Sequence, residues 1–87
     1  MKASDNVIYR CIAGEHILVP VGNAAMNNNG LIVLNEIGAE IWAMLGEETT
    51  QEKIVDHIME LYDVDRATAE ADTAEFLNTL RGRDLLE

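Results

Sequence analysis

The chain has 87 residues, 48% of them apolar, with sixteen Asp and Glu against six Lys and Arg, for a formal charge of −10. That length suits one small domain near the lower limit for a self-sufficient core. The negative field repels phosphate backbones and anionic bilayers, and no apolar run reaches the roughly 20 residues of a membrane span, so neither nucleic acid nor membrane is expected as a partner.

The first residues, MKASDNVIYR, lack a basic flank followed by a long apolar core, and residues 1–6 read as a flexible start. With one cysteine, Cys11, no intramolecular disulfide can form, and the expectation is a reduced, cytoplasmic protein. Val7 to Ile12 is apolar and rich in branched and aromatic side chains, which predicts a strand. Gly14 and Glu15 offer a turn, and His16 to Val21 predicts a second strand, ended or placed at an edge by Pro20. The asparagine-rich stretch Gly22 to Gly30 predicts a loop.

Leu31 to Leu34 is too short for a helix and predicts a third, buried strand. Asn35 is a helix-capping residue type, and Ile37, Ile41, Trp42 and Leu45 then recur at helical spacing, with Gly46 suited to a left-handed helix end. Thr49 and Glu52 have the spacing of a capping box for a second helix that buries Ile54, Val55, Ile58 and Leu61. Asp65 is placed to cap a third helix, with Ala69, Thr73, Phe76, Leu77 and Leu80 along one face and Arg81 and Arg83 near its negative pole. Leu85 and Leu86 form an apolar tail expected to pack back on the body. Three strands followed by three helices, each with one face to bury, predict an α+β domain with the helices on one side of the sheet.

The residues carry little chemistry. His16 and His57 have no nearby second ligand, so no metal site is expected. Cys11 reads as a small buried hydrophobe, and no glycine spacing matches a phosphate-binding loop, so no cofactor is expected. So small a core leaves little room for the desolvated pocket that a catalytic acid needs, so no enzymatic activity and no catalytic residue are expected. A helix-turn-helix outline also admits a winged-helix DNA-binding regulator, but the second helix, QEKIVDHIMELY, carries more acid than base. A structural or regulatory subunit of a biosynthetic enzyme is the other alternative.

The run GLIVLNEIGAEIW resembles the family of the pyrroloquinoline-quinone biosynthesis protein D (PqqD), also called RiPP recognition elements. A strand ending in Leu34-Asn35 and a helix carrying Ile41-Trp42 match that family's pattern, as do the Thr-initiated helix from Thr49 to Leu61 and the segment Tyr62-Asp63-Val64. Asp72, Phe76, Leu77 and Leu80, and the closing Leu85-Leu86, complete a resemblance over roughly residues 7 to 87. Two departures stand out. Asp84 takes the place of the Gly common before the final leucines, which implies a last turn of its own. Ala25 to Gly30 lacks the Tyr-Pro-Glu-Gly run of quinone-pathway members, which leaves the product open.

The resemblance implies a winged helix-turn-helix-like fold (βββααα) and a peptide-modification chaperone of natural product biosynthesis. Such a domain binds the leader of a ribosomally made precursor peptide by strand addition and presents it to a modifying enzyme, frequently a radical S-adenosylmethionine enzyme. Main-chain bonds would supply affinity and side-chain pockets specificity. The peptide-binding residues it implies are Asn29, Gly30, Leu31, Ile32, Val33 and Leu34 on the third strand. The third helix would line the groove by one of two flanks of its core stripe, Asp72, Glu75, Phe76 and Thr79 or else Glu70, Ala74 and Leu77; the first is the one expected, because it pairs an apolar floor with polar handles that could fix register. A monomer or weak homodimer is expected.

Overall fold

Two antiparallel strands open the chain, β1 (Val7–Ile12) and β2 (Glu15–Pro20), paired from Val7↔Pro20 to Ile12↔Glu15. The computed structural model describes residues 1–26 and 30–87. The turn falls on Ala13 and Gly14, both with positive φ (53° and 81°), one residue earlier than the sequence suggested. Two left-handed residues match the twist of the flanking strands, and so β2 begins at Glu15 and ends on Pro20.

The stretch expected to be a loop contains a short helix, α1 (Asn23–Met26). The strand β3 (Ile32–Leu34) pairs antiparallel with β2 through His16↔Leu34, Ile17↔Val33 and Leu18↔Ile32. The sheet order is β1-β2-β3, which leaves β3 at an edge. Cross-strand partners share a face, so Leu18, Ile32 and Leu34 point to one side while Ile8, Ile17 and Val33 point to the other. Of the third strand, expected to be buried, Leu34 is buried but Val33 is 62% exposed, because helices cover only the first face.

Three longer helices follow: α2 (Glu36–Met44), α3 (Gln51–Leu61) and α4 (Arg66–Gly82). Each starts at a side-chain cap. Asn35 Oδ1 accepts from Gly38 N at 2.8 Å, Thr50 Oγ1 from Lys53 N at 3.2 Å, and Asp65 Oδ1 from Thr68 N at 2.7 Å. The α3 cap is thus Thr50 and not Thr49. Thr49 is buried instead, and its backbone N–H donates to Met1 O. Gly46 is not left-handed; α2 closes through Leu45, which keeps right-handed angles (φ −76°, ψ −2°).

One core joins Leu18 and Leu34 of the sheet to Ile41 and Leu45, to Ile54, Val55 and Ile58, and to Ala69, Leu77 and Leu80. Leu85 closes it, fully buried. Leu61, expected in the core, is instead 52% exposed at the last residue of α3. Cys11 is also exposed, since β1 is the other edge strand and runs out past the helices. Residues 1–4, read from sequence as a flexible start, lie against the body: Ala3 N donates to Leu45 O, Ser4 N to Leu85 O, and Ala3 bridges Leu86. Asp84 adopts φ 62°, the left-handed conformation that glycine takes most easily.

Candidate functional site

The site is assembled where β3 runs into α2. Asn35 must leave the strand and cap the helix in one step, because its own backbone is extended while its side chain accepts from Gly38 N. That tight passage sets the first two turns of α2 directly beside α4. Ile37, Gly38 and Ile41 then face Asp72, Glu75, Phe76 and Thr79 across a cleft of about 240 Å³, with Asn35 at its end.

Gly38 fixes the width of this cleft. A Cβ built there would lie 3.4 Å from Phe76 Cε1, 3.2 Å from Asn35 Oδ1 and 3.5 Å from Leu34 Cβ. The glycine therefore lets the Phe76 ring approach the helix backbone without displacing the cap. Ile41 is fully buried, Ile37 and Phe76 are half-buried, and together they make an apolar floor. Asp72, Glu75 and Thr79 are exposed along the rim. Thr79 Oγ1 donates to the Glu75 carbonyl at 3.0 Å, which orients its hydroxyl.

The rim is electrostatically one-sided. Among the described residues no ion pair reaches Asp72 or Glu75, and no Lys, Arg or His lines the cleft. The opposite flank of α4 differs. There Glu70 meets Arg66 at 3.7 Å, and Arg66 also donates to Asp56 at 2.7 Å, a bond that raises the guanidinium pKa.

The sequence-expected residues thus fall into separate groups. Asp72, Glu75, Phe76 and Thr79 line one cleft, whereas Leu77 of the alternative flank is buried in the core. Ile32 faces inward, half-buried; Leu34 is core; and Val33 faces away from the helices. Gly30 (φ 113°) and Leu31, which is 60% exposed and precedes the strand, border a second hollow with Val19, Pro20 and Ala25. Asn29 lies outside the described residues. Sequence reasoning missed Ile37, Gly38 and Ile41 as cleft residues, having read the isoleucines as core and passed over the glycine. The available signal was Gly38 in the first turn of a helix, where a glycine costs stability unless something packs against it.

Solved structures share this architecture. The chain is similar to TbiB1, solved in complex with the TbiA(β) leader peptide: 37% identity, TM-score 0.81, covering 100% of this chain and 95% of that chain. It is similar in fold to lasso peptide synthetase B1, solved with its leader peptide, at 18% identity and TM-score 0.77, covering 97% of this chain and 93% of that one. No curated protein matches the chain. The family model of Coenzyme PQQ synthesis protein D (PqqD) matches residues 15–86, and with that span of the chain matched, this protein belongs to the PqqD family.

Proposed function

We propose that this protein is a non-catalytic adaptor that captures the leader of a ribosomally made precursor peptide and presents it to a modifying enzyme. The observation that carries this reading is the edge strand β3, whose outer side has no partner strand among the described residues and whose end opens on the cleft walled by α4. An added strand gains main-chain hydrogen bonds from an edge, and a neighbouring cleft then selects its side chains. The whole-chain likeness to TbiB1, a protein solved with a leader peptide, supports the same reading.

In this reading Gly30 to Leu34 supply the backbone edge, and Asp72, Glu75, Phe76 and Thr79 supply the wall. The modifying enzyme is a radical S-adenosylmethionine enzyme in the form that the family resemblance gives. We assign it the sheet face away from the helices, where Ile8, Ile12 and Val33 are exposed.

Calorimetric titration with the leader segment of a precursor encoded beside the gene tests the proposal. The expected result is a Kd in the micromolar range or tighter, roughly −8 kcal/mol. Backbone N-methylation, walked along that peptide one residue at a time, should weaken binding about fivefold at alternate positions, since only every second residue of a strand donates toward a given neighbour. Binding that ignores every N-methyl group would remove strand addition from consideration.

A further inference from the structure

We infer that the cleft between α2 and α4 is a specificity pocket for one basic side chain, Lys or Arg, of the captured peptide; this rests on the strand-addition reading above. The floor and the rim ask for different chemistry. The floor is Ile37, Ile41 and Phe76, with Gly38 opening the space beneath. The rim carries the carboxylates of Asp72 and Glu75, with the Thr79 hydroxyl beside them. A purely apolar side chain would fill the floor and leave the carboxylates in water. A short polar one would reach the rim and leave the floor wet. Long basic side chains satisfy both, because they bury an aliphatic stem while keeping the charged head at the surface. At about 240 Å³ the cleft is also smaller than the roughly 300–1,000 Å³ of small-molecule pockets, a size for one side chain.

The charge arrangement supports a cation from outside the chain. Asp72 and Glu75 are three positions apart on one helix face, so they repel each other. They sit in the middle of α4, which runs from Arg66 to Gly82, beyond the first turn where the helix dipole favours acids. Glu70, on the other flank of the same helix, has Arg66 to offset it. Asp72 and Glu75 have no such ion pair among the described residues. Phe76, half-buried in the same cleft, adds an aromatic neighbour that attracts ammonium or guanidinium groups.

The test is a selection from a display library of random 20-residue peptides, run in parallel on the wild-type chain and on Asp72→Asn/Glu75→Gln. Both substitutions are isosteric and exposed, and Asp72→Glu/Glu75→Asp serves as a charge-keeping control. Wild type and control should enrich Lys or Arg at one fixed register, and the neutral variant should not. In an isolated binder, replacing that basic residue by Met should weaken binding about tenfold to wild type and less than twofold to the neutral variant, a coupling read by double-mutant cycle. The wild-type effect should shrink as salt is raised. Peptides that bind with a period-two N-methyl pattern but show no basic preference, or no coupling, would overturn this inference and leave strand addition standing. A library that yields no binder, or binders indifferent to N-methylation, would overturn both.

Discussion

Thr73 is fully buried on α4, and its hydroxyl has no hydrogen-bond partner among the described residues. A helical threonine commonly bonds back to the preceding turn; here the hydroxyl is desolvated without return. Thr73→Val should therefore raise stability by about 1 kcal/mol, seen as a rise in Tm of about 5 °C; a fall would show that the hydroxyl is satisfied. Asp84, left-handed at φ 62°, carries a strain that glycine avoids. Asp84→Gly should stabilise by roughly 0.5–1 kcal/mol in urea titration, and an unchanged midpoint would refute a strained turn there. Asp65 holds the start of α4, and the hydrogen bond from Thr68 N lowers its carboxyl pKa below the usual value. A depressed folded pKa contributes stability that is full above the unfolded value of about 4 and is lost as pH falls through the lowered folded value. Asp65→Asn keeps a capping oxygen but does not titrate. The wild type's stability relative to that variant should decline below about pH 4, and a flat difference would remove the carboxylate from the account. Residue identities predicted Asn35 and Asp65 as caps, because the capping side chains act within three positions. The threonine cap was displaced by one, since Thr49 and Thr50 are alike locally and only burial of the first distinguishes them.

At the scale of elements, the passage from β3 to α2 is the joint on which the cleft depends. Asn35→Ala leaves the Gly38 N–H without its acceptor and should cost about 1 kcal/mol, whereas Asn35→Asp should cost far less. Chemical denaturation of the two variants separates them, and equal losses would mean that the cap contributes nothing. The strands and the longer helices were legible as elements because each carries its own period and its own punctuation. Two features were not. The short α1 has too few residues for a period to show, and the hairpin turn fell on Ala13, which the sequence gives no reason to place at positive φ. Leu61 and Val33 looked like core by type, but Leu61 is exposed at the last residue of α3 and Val33 on the face of the sheet that the helices leave uncovered.

For the whole molecule, a charge of −10 on 87 residues means that the folded state repels itself. Raising salt from about 50 to 500 mM, which shortens the Debye length from well above to well below about 10 Å, should raise Tm. The same change should weaken capture of a basic peptide, so stability and affinity move in opposite directions. A Tm that falls with salt would place net attraction in the surface charges instead. The sequence by itself determined the order of the three strands and the three longer helices, the caps Asn35 and Asp65, the acidic surface and the family, because each is written in residues near one another or in an ordered series of motifs. Only the tertiary structure decided which flank of α4 meets α2, that Gly38 makes the room between Phe76 and the helix, and that Asp72 and Glu75 stand without an ion pair among the described residues. Those facts depend on how helices distant in sequence pack across one core, and no local pattern encodes that distance.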